Sequence, residues 1–398
     1  MWPSFSVLIG NYNFRVVFSC CGKCYFCYMT IDANNYPLRP DEITTDWLAA
    51  ALKSSNTMPA GAGIVSITRR PVGVGVGMLG LIEVITPTYS GDAGNAPQSV
   101  VVKYPTEVEG NLAVATTFNV YEREVRFCQL LGPKAGLRLP KLYFAHTTSA
   151  SSFIMVMEDL SGYALGDQVE GCSVKQAEMS IIEMGKLHSA FWEKVESDEF
   201  EFVPYHYPSV HSDALLQGAI AGWDAMVAIF GDVISPELKN NKDKFLATVP
   251  KMQAWIVSHP HTLVHGDWRM DNLMFGVEPD HAPMAVLDWQ GTLRSKGVQD
   301  LAYLLSHNMS VTDRRDNERA LVAMWHNELL KNGVKNYTAE QAWDEYRRAV
   351  MYLWLYATVI AGTLDPSNER GKAFMTAMVT RSSTAIGDLD CIALLDTF

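Results

Sequence analysis

Basic residues are in deficit in this chain of 398 residues, with 32 lysines and arginines against 44 aspartates and glutamates and a formal net charge of −12. Such a balance provides no positive field to collect nucleic acid or an anionic membrane surface, so neither is expected as a partner. Apolar runs of the ~18 to 20 residues that cross a bilayer are also missing, because Gly, Arg or Tyr interrupts the longest candidates. A soluble, cytoplasmic protein is therefore expected.

Cysteine is scarce and unevenly placed. Four of the seven cysteines crowd near the start of the chain, at Cys20, Cys21, Cys24 and Cys27. The other three are scattered, at Cys128, Cys172 and Cys391. An odd and uneven set in a long chain does not form a disulfide framework and favours a reducing compartment.

Residues 1–28 are rich in aromatics and cysteine and almost free of charge. The spacing of Cys21, Cys24 and Cys27 resembles the start of an iron–sulfur motif, but the fourth Cys followed by Pro is missing. Half a zinc site would need a second ligand pair, and a secretory signal would need a basic start and a small-residue cleavage site. We interpret Met29 as the native first residue and residues 1–42 as an N-terminal extension, with 1–28 unstructured or not native.

The remaining chain is too long for one hydrophobic core, since single cores stop growing at about 250 to 300 residues. Apolar residues make up 48% and charged residues 19%, an ordinary globular balance. Strands are predicted at 63–68, 81–86, 99–103, 139–145 and 153–157. Helices are predicted at 44–52, 173–192, 214–230, 236–258 and from 314 to the end. We therefore predict two lobes, the first rich in strands and the second in helices.

Two acids and an amide stand out between residues 264 and 290. Asp267 and Asn272 are five residues apart in one predicted loop, and Asp288 comes directly after the strand predicted at 284–287. The strands around them are predicted at 262–264, 273–275 and 284–287. Phosphoryl transfer needs a positioned base and oxygen ligands for the metal ions that neutralise phosphate charge. The spacing fits Asp267 as the base, and Asn272 and Asp288 as Mg²⁺ ligands. A polar loop that merely caps its own backbone would explain fewer of these positions.

Lys103 ends a run of three valines, and Glu122 and Glu124 follow about twenty residues later in a predicted helix. In kinases a strand lysine contacts the α- and β-phosphates and is held by a helix glutamate. The alternatives are an edge lysine whose charge reaches solvent and an exposed helix charge. We predict that Lys103 binds phosphate.

A glycine-rich stretch at 73–80 separates two predicted strands. Glycines at a hairpin tip allow backbone amides to approach a phosphate, so Gly75 and Gly77 are candidates for a nucleotide-covering loop. A merely flexible hairpin is the alternative, because no helix follows as it would in a dinucleotide-binding fold.

Four short motifs carry a resemblance to a known family. HGDWRMDN at 265–272, LDWQ at 287–290 with QDLAY at 299–303, VVVK at 100–103 and the glutamate-bearing helix resemble the aminoglycoside phosphotransferase and choline kinase superfamily. Within it, the ecdysteroid-kinase-like branch is most similar. The resemblance implies an α+β, bilobal, protein-kinase-like fold, with a nucleotide-binding N-lobe at 43–157 and a catalytic and acceptor-binding C-lobe at 158–398.

The same resemblance implies roles for several residues. ATP and Mg²⁺ are the implied cofactors, and Glu124 rather than Glu122 is the implied partner of Lys103. The connector at Met157, Glu158 and Asp159 would pass the adenine, and His265 would accompany Asp267 in the catalytic loop, where it fixes the loop more than it transfers protons. Asp300 would be either a carboxylate at a helix start or a brace for that loop, and His188 is interpreted as structural.

The predicted function is ATP-dependent phosphorylation of a hydroxyl group on a small molecule. A protein substrate is disfavoured, because no Ala-Pro-Glu segment follows Asp288. The alternative function is a nucleotide-binding pseudokinase or scaffold without turnover. The acceptor classes left open are a steroid-like alcohol, an amino alcohol, an aminoglycoside or macrolide, and a hydroxyacyl thioester.

Overall fold

The computed structural model describes residues 4–9, 12–18, 24–30, 36–73, 79–364, 367 and 369–398, the first three ranges by their backbone alone. The chain divides into two compact units. The first comprises Met1–Gln129 and Pro140–Leu160, and the second comprises Leu130–Leu139 and Ser161–Phe398. The boundary at Leu160 lies three residues beyond the predicted one, and nothing in the sequence indicated that 130–139 belongs with the second unit.

Three strands near the start of the chain form an antiparallel sheet. Its strands are β1 (Ser4–Ile9), β2 (Tyr12–Phe18) and β3 (Cys24–Thr30), paired in that order. The expectation that residues 1–28 are unstructured or not native is left as a prediction. The interpretation of Met29 as the native start stays a prediction, which peptides from residues 1–28 of the natural protein would contradict.

A five-stranded antiparallel sheet forms the body of the first unit. Its strands, in the order β4-β5-β6-β8-β7, are β4 (Gly63–Val72), β5 (Gly80–Ser90), β6 (Val100–Pro105), β7 (Leu142–Ser149) and β8 (Ser152–Glu158). Three helices accompany it: α1 (Thr45–Ser54), α2 (Glu109–Thr117) and α3 (Val120–Arg126). All five predicted strands are confirmed, although their ends move by up to four residues.

Alternation along β8 builds two small cores, because successive side chains of a strand point to opposite faces of the sheet. Ile154 and Val156 pack in one core with α1, while Phe153 and Met155 pack in another with α3. Strand β8 is therefore buried on both faces, which explains its continuous apolar sequence.

The second unit is mainly helical. Its helices are α4 (Val174–Phe191), α5 (Val210–Phe230), α6 (Pro236–Asn240), α7 (Lys242–Ile256), α8 (Val298–Tyr303), α9 (Val311–Lys331), α10 (Ala339–Thr363) and α11 (Glu369–Asp388). Short strands make two small sheets, β9 (Ala164–Leu165) with β11 (Leu273–Phe275) and β12 (Met284–Val286), and β10 (Thr262–Val264) with β13 (Leu293–Ser295).

Two helix predictions in this unit need correction. The helix predicted at 236–258 is two helices, because the backbone turns at Asn241 after the short α6. The helix predicted from 214 begins at Val210, where Ser209 accepts the backbone N–H of Ser212 at 3.1 Å and so caps the first turn.

Helix α5 needs a second correction. Within the described residues, the segment Val210–Val233 is long and apolar enough to cross a membrane by length and composition alone. The sequence had suggested that no segment reaches that length. In this fold α5 packs against α10 so closely that a Cβ added at Gly222 would lie 3.1 Å from the Gly362 Cα, and α5 buries Trp223 and Met226. A core helix also passes such a test, so the finding is weak as a sign of membrane insertion.

Candidate active site

The loop from His265 to Asn272 joins β10 to β11, the two strands predicted at these positions, and is called the catalytic loop below. Gly266 has a φ of +81°, and a Cβ there would lie 2.2 Å from the carbonyl oxygen of Gly291. Only glycine fits this close approach of two backbones. The turn at Gly266 directs Asp267 out of the strand, and its side chain is 36% exposed.

Asp267 and Asn272 contact each other directly. The Asn272 Nδ2 donates to Asp267 Oδ2 at 3.0 Å and to the Asp267 backbone oxygen at 2.9 Å. Both bonds use the amide nitrogen, so neither of them occupies the amide oxygen. The five-residue spacing thus gives one unit in which the amide orients the carboxylate.

Asp288 lies beside Asn272 through strand pairing. Strands β11 and β12 pair with Leu273 opposite Val286, and the Leu287 N–H donates to the Asn272 carbonyl at 2.8 Å. Asp288 follows at once, with a left-handed φ of 59° that Asp and Asn tolerate better than other non-glycine residues. The hairpin therefore carries the two predicted metal ligands on adjacent chain segments.

Asp300, in the first turn of α8, braces the catalytic loop by accepting hydrogen bonds from its backbone. Its Oδ2 accepts the backbone N–H of His265 at 2.8 Å, and its Oδ1 accepts that of Gly266 at 2.9 Å. His188 Nε2 lies 3.2 Å from the same Oδ2, while its Nδ1 accepts the Trp325 indole N–H at 3.1 Å. Because Nδ1 is an acceptor, Nε2 carries the proton and donates to Asp300. The bracing role and the structural role of His188 are confirmed.

His265 is buried, and both its ring nitrogens are bonded to backbone. Its Nε2 donates to the Leu287 carbonyl at 2.8 Å, and its Nδ1 accepts the Asp267 N–H at 3.2 Å. The ring thereby ties the catalytic loop to the end of β12. This arrangement supports fixing of the loop rather than proton transfer.

Three further residues surround Asp267 that the sequence did not single out. Arg269 Nε donates to Asp267 Oδ2 at 3.0 Å, and the charge of Asp267 is the largest cause that raises the pKa of Arg269. The phenol of Tyr303 faces the same carboxylate, and burial together with that charge raises its pKa. Asn308 Oδ1 accepts the Met270 N–H at 3.0 Å and holds the loop in place.

Arg269 is only two residues from Asp267, and its backbone N–H donates to the Asp267 carbonyl at 2.8 Å, so a tight turn brings the two side chains together. Tyr303 and Asn308 are more than thirty residues from the loop in sequence, and only the packing of α8 and the following turn of helix reveals them.

In the first unit, Lys103 and Glu124 form a buried ion pair. The Lys103 Nζ lies 2.8 Å from both carboxylate oxygens of Glu124, and the two side chains are 7% and 3% exposed. Glu122 instead accepts from Arg126 at 3.1 Å near the surface. The structure therefore pairs the strand lysine with the glutamate that the family resemblance indicated.

The remaining predicted nucleotide-binding residues divide into two groups. Gly75 and Gly77 lie outside the described residues. Met157, Glu158 and Asp159 are at the end of β8, where the Glu158 N–H donates to the Lys141 carbonyl at 2.8 Å and Asp159 Oδ2 accepts the Ser99 hydroxyl at 2.7 Å. Their adenine-binding role stays a prediction.

Comparisons with known proteins bear on this geometry. Among solved structures, a candidate aminoglycoside phosphotransferase from Ralstonia eutropha is similar, with 16% identity, a TM-score of 0.51, and coverage of 86% of this chain and 98% of that one. An ethanolamine kinase from Plasmodium vivax has 14% identity, a TM-score of 0.48 and 83% coverage of each chain. A macrolide 2′-phosphotransferase from Brachybacterium faecium has 16% identity, a TM-score of 0.42, and coverage of 84% and 98%. The comparison with curated protein sequences found no match.

The fold is thus the α+β fold of kinase-like phosphotransferases, as predicted, with a β-rich first unit and a helical second unit. A family model supplies the finer assignment, because the model of the ecdysteroid kinase-like family matches residues 78–335, well over half of the chain. The chain belongs to the ecdysteroid kinase-like family, and it is a small-molecule kinase.

Proposed function

We propose that this protein transfers the γ-phosphoryl group of ATP to a hydroxyl of a small molecule, with Asp267 as the base. The observation that carries the proposal is the Asp267–Asn272 contact beside Asp288. It supplies a carboxylate that is oriented, partly exposed and flanked by oxygen donors on the adjacent hairpin. Phosphoryl transfer asks a protein for this kind of positioning more than for covalent chemistry.

The donor set suits magnesium. Asn272 offers an amide oxygen and Asp288 a carboxylate, and hard oxygen ligands of this kind are those that Mg²⁺ prefers. When bound, the ion would neutralise charge on the phosphates. Lys103 would hold the phosphates of the nucleotide, and Glu124 would keep its ammonium in place through the buried ion pair.

Asp267 would accept a hydrogen bond from the acceptor hydroxyl and take its proton as the transfer proceeds. A bond forms between the hydroxyl oxygen and the γ-phosphorus, the bond from that phosphorus to the β,γ-bridging oxygen breaks, and ADP leaves with the electron pair. Asn272 and Arg269 both donate to Asp267 Oδ2 and orient the carboxylate. Asp300 and His265 would act by holding the loop.

The family suggests which acceptor to test first. Burial, with a further effect from the charge of Asp267, raises the pKa of the Tyr303 and Tyr356 phenols, so two aromatic residues lie near the base. A steroid-like alcohol is the first acceptor class to test in a family named for ecdysteroid kinases. Amino alcohols, aminoglycosides, macrolides and hydroxyacyl thioesters are the comparison arms.

The direct test is transfer of labelled phosphate from ATP, with mass detection of the product across these acceptor classes. Asp267→Asn should lower turnover by roughly 10²- to 10⁴-fold while nucleotide affinity stays unchanged, as expected for loss of a general base. Asp280→Asn, in the exposed turn after β11, is the matched control. Retained turnover in Asp267→Asn would refute the assignment. Nucleotide binding with no transfer to any acceptor would favour the pseudokinase alternative.

A further inference from the structure

Two histidines and two glutamates cluster at the junction between the end of α4 and the start of β10, away from the catalytic loop. Glu193, His259 and His261 each present a ligand-capable atom within 4.8 Å of the others. Glu196 Oε1 adds a further oxygen, 3.6 Å from His259 Nε2 and 3.6 Å from His261 Nε2. None of these side chains takes part in the proposed phosphoryl transfer.

His261 is the informative member, because its side chain is only 4% exposed. Its Nδ1 lies 3.3 Å from the Val257 carbonyl oxygen, which has no proton to give, so Nδ1 carries the proton. Its Nε2 is then a lone-pair acceptor, and it is buried without a hydrogen-bond partner. Burial of an unpaired acceptor costs free energy, and a cation bound to the Nε2 lone pair would offset that cost.

His259 has a matching arrangement. Its Nδ1 lies 2.6 Å from Glu193 Oε2 and donates to it, which leaves Nε2 toward Glu196. In metal-bound imidazoles, the ring nitrogen that does not bind the metal usually donates its N–H to a carboxylate or to a backbone carbonyl. His259 has the carboxylate form and His261 the carbonyl form.

Glu193 is held in place from several sides. Its backbone N–H donates to the His261 carbonyl at 2.9 Å, and its Oε1 accepts the His261 N–H at 2.6 Å. Its φ of 55° is in the left-handed region, which non-glycine residues adopt only when surrounding contacts enforce it. The carboxylate that orients His259 is therefore itself fixed.

We infer that this cluster is a binding site for a divalent transition metal of the zinc class, with His259 Nε2, His261 Nε2 and Glu196 Oε1 as ligands. Ligand atoms around a tetrahedral zinc ion with bonds of ~2.0 to 2.2 Å lie about 3.3 to 3.5 Å apart, close to the two 3.6 Å separations. A fourth ligand would come from solvent, because His259 and Glu196 are both 63% exposed.

Two imidazoles with one carboxylate favour a borderline metal over Mg²⁺ or Ca²⁺, which prefer all-oxygen sites. The ion would join the segment after α4 to the segment before β10. Both segments lie in the second unit, so we expect the bound metal to stabilise that unit. Strand β10 leads from this site into the catalytic loop.

Two cations lie near the cluster. Arg294 Nη1 donates to the Val195 carbonyl at 3.2 Å, and the charge of Glu196 acts on the Arg294 guanidinium. Lys296 Nζ donates to the His259 carbonyl at 3.1 Å and forms an ion pair with Glu345 at 3.0 Å. The contacts of Lys296 hold the backbone at His259. The His259 imidazole contacts Glu193 and Glu196 instead.

The test uses the full chain, stripped with a chelator and with its thiols alkylated, so that the N-terminal cysteines cannot bind metal. Titration with Zn²⁺ should show one bound equivalent and a raised midpoint of thermal unfolding. Titration with Co²⁺ should give the visible absorption bands of a low-coordinate cobalt site. Mg²⁺ at equal concentration should neither displace the bound Zn²⁺ nor change the Co²⁺ absorption bands.

Exposed ligands provide the decisive variants, because His261 is buried and its replacement could impair folding. His259→Gln and Glu196→Gln should each weaken Zn²⁺ binding by at least about tenfold, and Glu193→Gln by about 10- to 100-fold through loss of orientation. His281→Gln and Glu201→Gln, outside the cluster, should bind as the parent does. Absence of stoichiometric Zn²⁺ binding, or unchanged affinity in His259→Gln and Glu196→Gln, would overturn the inference and leave the cluster as surface ion pairs.

Discussion

Asn272 donates its side-chain amide to the Asp267 carboxylate at 3.0 Å, across the five residues that separate them in sequence. The contact makes the predicted base and the first predicted metal ligand a single unit. The adjacent hairpin adds Asp288, since the Leu287 N–H bonds to the Asn272 carbonyl. The predictions below test the parts of this arrangement separately.

Asp288→Asn should raise the Mg²⁺ concentration needed for half-maximal activity by at least about tenfold, because a neutral amide replaces a charged ligand. Asn is the suitable replacement since it tolerates the left-handed backbone at this position. Initial rates measured against free Mg²⁺ provide the readout, with Asp280→Asn as the control. An unchanged Mg²⁺ dependence would remove Asp288 from the metal site.

Glu124→Ala should destabilise the first unit by about 3 to 5 kcal/mol, because the Lys103 ammonium would stay buried without its counter-charge. The double variant Lys103→Met with Glu124→Met should recover most of that stability and still bind nucleotide weakly. Chemical denaturation and nucleotide titration separate the two effects. Glu122→Gln, at a partly exposed ion pair, should cost less than about 1 kcal/mol. Full nucleotide affinity in the double variant would contradict the phosphate role of Lys103.

Asp300→Ala should lower kcat and leave the KM for nucleotide unchanged, since Asp300 contacts the loop backbone and no predicted nucleotide group. It leaves the N–H groups of His265 and Gly266 and the His188 ring without an acceptor, which should cost about 3 kcal/mol or more of unfolding free energy. Steady-state kinetics at a temperature where the variant is folded is the measurement. Asp316→Asn, exposed on α9, should behave as the parent, whereas a raised nucleotide KM in Asp300→Ala would argue against a pure bracing role.

Acid should destabilise the protein through His307. Burial, with a smaller effect from Arg381, lowers the pKa of His307 to about 3. Because the unfolded chain takes up this proton near pH 6.5 and the folded chain does not, stability falls as the pH drops below about 6.5. The loss from this histidine should be about 1.4 kcal/mol between pH 7.5 and 5.5.

The measurement for His307 is urea denaturation at both pH values, for the parent and for His307→Gln. The variant should lose about 1.4 kcal/mol less than the parent over that interval. An equal loss in both proteins would show that His307 does not titrate as its buried position implies. His281→Gln, at a half-buried histidine in the turn before β12, is the control.

Local patterns allowed much of this structure to be predicted. Short apolar runs identified the strands at 262–264 and 273–275. The spacing of Asp267, Asn272 and Asp288 drew attention to the loop between these strands and to the end of β12. These predictions succeeded because strand pairing across a short hairpin is a local property of the chain. The choice of Glu124 over Glu122 needed the family resemblance, since both glutamates lie in one helix.

Long-range contacts decided the rest. The sequence by itself determined which residues could do phosphoryl chemistry, because residue type and spacing follow directly from the chain. Only the tertiary structure decided that Asp300 and His188 brace the loop, that Tyr303 faces Asp267, and that His261 meets Glu196 across the end of α4. Such contacts depend on how helices pack, and helix packing is set by the summed burial of many apolar side chains rather than by any short motif.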